Sequence, residues 1–246
     1  MLLKEWQNLP AIMKNDLVKK YYDYLYKKRY SLLAKRVFDL FLSIIFLIIL
    51  FPVILLISIS IKISTKGPVI FRQRRVTQYG KEFKIIKFCT MIRNADKETQ
   101  VTTVNDARIT RIGRFLRKYR LDEIPQLINI ITGDMSFVGT RPEVPQYVDN
   151  YTAEMLATLL LPAGVTSETS IRYKDEEMLL ADTLNANETY INEILPRKMK
   201  YNLKSLEQYS FKGDLKTMFR TVAAVYPKGN RACSNAADTG NSTYQG

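Results

Sequence analysis

The feature that most constrains this chain is an uncharged apolar run from Leu40 to Ile61, ended by Lys62. A stretch of about 20 such residues is long enough for a membrane helix. Pro52 lies near its middle, where a missing backbone N–H removes one helical hydrogen bond and kinks the axis. Lys35 and Arg36 precede the run, and both flanks are basic: residues 1–36 hold nine Lys/Arg and three Asp/Glu, and residues 62–93 hold nine and one. Positive charge on both sides suits an anionic leaflet and disfavours translocating either end. The run starts too late for a signal peptide and no small-residue cleavage site follows it. Two arrangements stay open on these grounds, a simple span and a broken helix that enters and leaves by one face. A buried helix of a soluble core is the bland third.

The remaining composition narrows the chemistry. The chain has 246 residues, a formal charge of +13, two cysteines and no histidine. Ser-His-Asp and Cys-His catalysis and His-ligated metals are thereby excluded. Cys89 and Cys233 form neither a zinc pattern nor a disulfide framework. Trp6 and Tyr21, Tyr22, Tyr24, Tyr26 and Tyr30 stand among lysines, a mixture that suits a membrane surface. The same mixture suits nucleic acid, but the adjacent apolar run favours the membrane, and no nucleic-acid partner is expected. Within the helix, Lys35 and Arg36 are spaced to pair with Asp39.

Gly67-Pro68 marks a turn. Val69–Phe71 and Phe83–Phe88 read as short strands joined at Tyr79-Gly80. Residues 109–120 read as a helix with an apolar stripe and a strongly basic opposite face. Asp122 is placed to cap the next helix, with Pro125 in its first turn and Gly133 at its end. Residues 134–146 read as a loop, 151–161 as a helix, and 188–208 as a helix with Pro196 near its middle. Asp214 is placed to cap a last helix, whose face of Leu215, Met218, Phe219, Val222 and Tyr226 suits either core or membrane interface. Residues 227–246 lack periodicity and read as disordered. No nucleotide loop of the Gly-rich kind and no Asp-x-Asp occurs.

Asp122-Glu123 follows six basic residues at a helix start, a place that favours anions. A carboxylate can attack phosphorus and form an acyl phosphate. A second one beside it can hold Mg2+, which takes oxygen ligands and shares them with substrate phosphates. Arg141, on a loop beside Pro142, can hold phosphate oxygens in bidentate fashion. Each signal alone is weak, since an acidic pair at a helix start is usually a cap.

Taken in order, the motifs carry more. They run from Lys35-Arg36-x-x-Asp39 through Val69-Ile-Phe-Arg-Gln-Arg74, Phe83-Lys-Ile-Ile-Lys-Phe88 and Thr90-Met91 to Asp106-x-Arg-Ile-Thr-Arg-Ile-Gly113. Arg120-Leu-Asp-Glu-Ile-Pro-Gln-Leu127 and Gly133-Asp-Met-Ser-Phe-Val-Gly-Thr-Arg-Pro142 complete the set. From about Lys35 to Tyr226 the chain resembles the bacterial sugar transferases, the monotopic polyprenyl-phosphate phosphoglycosyl transferases that begin capsule, exopolysaccharide and glycan assembly.

The resemblance implies a small α/β, mostly helical catalytic domain at residues 63–226, carried on a re-entrant membrane helix at 35–62 that breaks at Pro52, with amphipathic interfacial helices. Residues 1–34 would be a juxtamembrane segment in place of the multi-span domain of larger relatives, a minimal form. It implies the cytosolic face of the bacterial inner membrane and a Mg2+ cofactor. Asp122 would attack the sugar-linked phosphate of a UDP-sugar, release UMP and pass the phosphosugar to undecaprenyl phosphate. Glu123 matches the catalytic, Mg2+-binding glutamate. Arg141, Arg120, Thr140, Pro142, Lys87 and Arg74 fall in the substrate-binding set, and Lys35, Arg36, Asp39 and Pro52 in the set that anchors the helix. A homodimer is compatible with the family. The sequence departs from the pattern at Phe51, where serine is usual, at Thr140, where proline is usual, and at Leu161-Pro-Ala-Gly-Val-Thr166, a region connected with the choice of sugar. A scaffold that recruits later glycosyltransferases is the alternative without catalysis, although it has no need of Asp122-Glu123.

Overall fold

A computed structural model describes residues 3–65, 67–92, 106, 108–173 and 186–225. The described residues are mostly helical and include two sheets of two strands each. Tyr226 and the 227–246 tail lie outside the described residues.

The apolar run forms two helices rather than one. α2 spans Arg29–Ile49 and α3 spans Phe51–Ser64, with an axis change of 60° between them. Pro52 sits in the first turn of α3, where its missing N–H is no loss. No single helix among the described residues is long and apolar enough to cross a membrane, whereas the bent pair passes that test together. Apolar side chains stay bare on all sides of the break: Phe41, Ile48, Ile49, Phe51 and Leu56 are all exposed.

The inner ends of both arms pack on the same folded body. α2 runs along α5 (Gln126–Thr132). Ile57 and Ile61 of α3 are buried with Phe88 and with Leu116 of α4 (Arg111–Lys118). The paired charges expected inside α2 are used elsewhere, because the folded body supplies stronger partners. Lys35 Nζ lies 2.6 Å from Asp214 Oδ2. Arg36 donates to the Ile130 and Ile131 carbonyls at 2.5 and 3.0 Å, satisfying the C-terminal end of α5. Asp39 accepts a 2.6 Å hydrogen bond from Ser136 Oγ. These three residues thus bolt α2 to the domain, not to one another.

The division before Lys35 falls inside α2, and residues N-terminal to it belong to a core. Val18, Tyr21, Tyr22 and Leu25 of α1 (Asp16–Lys27) are buried with Leu156, Leu160, Leu203 and Leu206. Tyr21 donates to Glu154 at 2.7 Å, and Tyr22 to the Lys4 carbonyl at 3.0 Å. Tyr26 and Tyr30 remain exposed.

β1 (Ile70–Val76) and β2 (Glu82–Phe88) form an antiparallel hairpin with Phe83 opposite Arg75 and Lys87 opposite Phe71. Side chains alternate across a strand. Phe83 and Ile85 face α5, burying with Leu127 and Ile130, so Lys87 falls on the same side. The stretch read as a loop after Gly133 contains β3 (Met135–Val138), paired in parallel with β4 (Ala163–Thr166). A four-residue strand with three buried residues, set between glycines, leaves too short a pattern to read. α6 is Pro145–Val148. Residues 155–160 form a 3-10 helix rather than an α-helix, buried on all sides from Leu156 to Leu160.

After α7 (Glu168–Arg172), the described chain resumes at α8 (Ala186–Thr189), passes through a π turn at Tyr190–Ile194 and continues as α9 (Leu195–Glu207). The wider turn lets Pro196 open α9 instead of breaking a continuous helix. α10 is Phe211–Val225. Asp214 there pairs with Lys35 instead of capping, Met218 packs on the core, and Phe219 and Val222 are exposed.

Candidate active site

α4 ends at Lys118 with Tyr119 as its C-cap, and Arg120 then takes a left-handed conformation (φ 53°). That conformation is unusual for a residue other than glycine. It reverses the chain into a 3-10 turn at Leu121–Glu123, so both carboxyl groups are buried at the edge of β2. Asp122 is therefore inside this turn and does not cap α5, whose N-cap position is Pro125.

Glu123 is saturated with cations. Its Oε1 accepts from Lys87 Nζ at 3.0 Å and from Arg141 Nη2 at 2.9 Å. Its Oε2 lies 3.8 Å from Arg120 Nη1. Burial alone raises the carboxyl pKa, but Lys87, Arg141 and Arg120 outweigh it and hold Glu123 well below the usual carboxylate range. Lys87 is lowered, mainly by burial, with Glu123 opposing.

Asp122 has the opposite character. No hydrogen bond to its carboxylate occurs among the described residues. Burial, then the neighbouring charge of Glu123, pushes its pKa up; Lys87, Arg117 and Arg141 pull back only in part. Two adjacent carboxyl groups thus differ sharply: one is locked in place, the other is buried and unpaired.

Arg141 is positioned by backbone. The Gly139 N–H donates to the Thr166 carbonyl and the Gly164 N–H to the Thr140 carbonyl, at 3.0 and 2.8 Å. The two glycines touch: a Cβ on Gly164 would lie 2.2 Å from the Gly139 nitrogen, so neither position accepts a side chain. Pro142 is buried, and its carbonyl accepts from Arg75 at 3.1 Å. Next along the chain, Glu143 accepts from Tyr190 at 2.7 Å and from Lys198 at 3.2 Å, all three being buried.

Lys87, Arg120, Asp122, Glu123 and Arg141 therefore come together, with Thr140 and Pro142 on the loop that carries the arginine. Arg74 does not join them. It is exposed and lies 3.4 Å from Glu82. Its neighbour Arg75 is on the inner face of β1, tied to Pro142. Lys35, Arg36 and Asp39 hold α2 against the back of this body, remote in role from the carboxylates. Arg75, Glu143, Lys198 and Gln126 were not singled out by sequence. For Arg75 the strand alternation that buries Phe83 and Ile85 is the available signal; for Gln126 it is a long polar residue on a helix face that also buries Leu127, Asn129 and Ile130.

Paired carboxylates among three cationic side chains, in a chain that also carries a bent apolar helix pair, define a class of protein suited to anionic groups. The family comparison is specific: the model for bacterial sugar transferases matches residues 30–228, and the chain belongs to that family. It is 35% identical over 170 residues to the UDP-glucose:undecaprenyl-phosphate glucose-1-phosphate transferase of Escherichia coli (strain K12), covering 68% of this chain and 34% of that protein. To the protein of the same name from Caulobacter vibrioides it is 32% identical over 180 residues, covering 72% and 63%. To the exopolysaccharide production protein ExoY of Rhizobium meliloti it is 30% identical over 187 residues, covering 70% and 76%. The match thus takes in about a third of the Escherichia coli protein.

Proposed function

We propose that this chain transfers a sugar-1-phosphate from a UDP-sugar to undecaprenyl phosphate. The observation that carries the reading is the contrast between Asp122 and Glu123. In the first step an Asp122 carboxylate oxygen attacks the sugar-linked phosphorus, and the bond to the UMP oxygen breaks with its electron pair leaving on UMP. In the second, a phosphate oxygen of the lipid attacks the same phosphorus and returns the electron pair of the Asp122 O–P bond to the carboxylate. A buried carboxylate without hydrogen bonds is poorly stabilised as an anion and so is a better nucleophile. Lys87, Arg120 and Arg141 supply charge for the phosphoryl oxygens.

Mg2+ fits this site in one way. Among the described residues no group of three or more Cys, His, Asp or Glu side chains gathers. Mg2+ is usually held by one or two carboxylates, with water and substrate phosphates completing its shell. Glu123 Oε2 is the freer oxygen, because Oε1 already accepts from two cations. When bound, the ion would neutralise charge on the phosphate oxygens.

The bent α2–α3 pair is read as re-entrant. Both inner ends pack on one body. The uncharged part of α2 is about 15 Å long and α3 about 21 Å at 1.5 Å per residue, comparable with half of a hydrocarbon core of about 30 Å. The basic flanks favour the cytosolic side for the body. The exposed Phe115, Phe219 and Val222 are assigned to the interface.

The test uses detergent-solubilised protein with Mg2+, undecaprenyl phosphate and a panel of UDP-sugars. UMP should appear with one donor and vanish in Asp122→Asn. Release of UDP would mean transfer of sugar without phosphate and would end this mechanism.

A further inference from the structure

Gln126 opens α5, four residues after Asp122 and three after Glu123. Ile124 and Pro125 keep right-handed helical angles between them. On such a backbone, residues three and four apart share a face. A helical side chain also leans back over the turn before it. The Gln126 carboxamide is thereby directed toward the turn that bears the two carboxylates.

That carboxamide is 1% exposed, and neither its oxygen nor its nitrogen has a hydrogen-bond partner. Among the described residues these are the only buried side-chain nitrogen and oxygen atoms left so. Asn129, one turn further on, shows the ordinary outcome. Its Oδ1 accepts from the Ile86 N–H at 3.0 Å and its Nδ2 donates to the Lys84 carbonyl at 2.9 Å. A buried amide without partners lowers stability, and an apolar side chain of the same size avoids the loss. Retaining glutamine here, beside an unpaired aspartate, calls for a ligand that satisfies it.

We propose that Gln126 is a phosphoryl ligand: its Nε2–H donates to a non-bridging oxygen of the phosphate that is attacked, and then carried, by Asp122. This rests on the transferase reading. The surrounding cations select an anion, and an amide donor adds a directed hydrogen bond without adding charge. No bond to Gln126 forms or breaks, and the amide keeps both protons. When the lipid phosphate attacks, the electron pair of the O–P bond still returns to Asp122.

The test is Gln126→Met and Gln126→Glu in the full chain, with wild type and Asp122→Asn alongside. Methionine keeps length and volume but removes the donor; kcat should fall about 100-fold, as for loss of one oxyanion donor. KM for the donor sugar should stay within about threefold, since the bond strengthens only as charge develops. The Tm of Gln126→Met should be no lower than wild type, a result that a structural role would not give. Gln126→Glu replaces the donor by an acceptor and should lose at least as much activity. Wild-type kcat in Gln126→Met, or a lowered Tm or failure to fold, would overturn the assignment. So would an active Gln126→Glu with an altered Mg2+ requirement, which would make the residue a metal ligand. No UMP from the wild type would remove the transferase reading itself, whereas wild-type turnover with an unimpaired Gln126→Met removes this assignment alone.

Discussion

Replacing Lys87 by methionine tests whether Glu123 is held by a shared cation set or by one dominant partner. Lys87 and Glu123 are both largely buried, with side chains 19% and 8% exposed and 3.0 Å between charged atoms. Breaking a buried ion pair from one side typically costs 3–5 kcal/mol, because the remaining charge is left uncompensated. Here Arg141 stays at 2.9 Å on the same oxygen and Arg120 at 3.8 Å on the other. The carboxylate is not orphaned, so the loss should be smaller, about 2–3 kcal/mol. For a chain of this size that is a Tm drop of roughly 4–12 °C. Thermal unfolding in detergent at neutral pH measures it. The double variant with Glu123→Gln should show coupling of roughly 1–2 kcal/mol. The sign with pH follows from the lowered pKa of Glu123: its stabilisation is present above the unfolded value, near 4.5, and is lost as pH falls through the folded value. The Lys87→Met deficit should therefore be full at neutral pH and shrink in acid. A loss below 1 kcal/mol, or additive single variants, would refute the shared-cation account.

Three other outcomes follow from the same geometry. Asp122→Asn should abolish UMP release yet raise Tm at neutral pH; because burial raises the aspartate pKa in the folded state, that gain should disappear as pH falls below the ordinary carboxylate value near 3.8. Lys35→Met leaves the partly buried Asp214 without its 2.6 Å partner and should lower stability by about 2–3 kcal/mol, read by thermal unfolding, with retention on membranes as a separate measurement. Ser136→Ala removes the donor to Asp39 at 2.6 Å and should cost about 1–3 kcal/mol in the same unfolding assay.

The periodic parts of this fold were legible because local spacing controls them. Phe83 and Ile85 alternate with the exposed Glu82 and Lys84, and continuing that parity puts Lys87 on the inner side, although Ile86 is half-buried and Phe88 is buried in a second cluster. The same parity separates Arg74 from Arg75, but only once the pairing register is known, and motif resemblance points at the exposed one. Lys35 and Asp39 satisfy helical spacing, yet their partners Asp214 and Ser136 are 179 and 97 residues away. Nothing local distinguishes a true intrahelical pair from two residues that each await a distant partner. Asp122 was readable as an acidic residue at a helix start, whereas its place inside a turn before that helix depends on the left-handed Arg120, a backbone state that arginine does not advertise.

Placing a second negative charge beside Glu123 is costly unless nearby cations hold one of the pair ionised and steady. Lys87, Arg120 and Arg141 do this for Glu123, and in doing so they crowd the space where a diphosphate would need cations. Burial, then the charge of Glu123, raises the pKa of Asp122, and the same cations offset this only in part. A substrate phosphate that drew Arg141 or Lys87 away would leave Glu123 partly uncompensated, which favours a divalent cation taking their place on that carboxylate. On the proposed Mg2+ site at Glu123, such an exchange would couple substrate binding to metal binding: each should tighten the other, and the coupling should weaken in Arg141→Gln, where one of the competing cations is already gone.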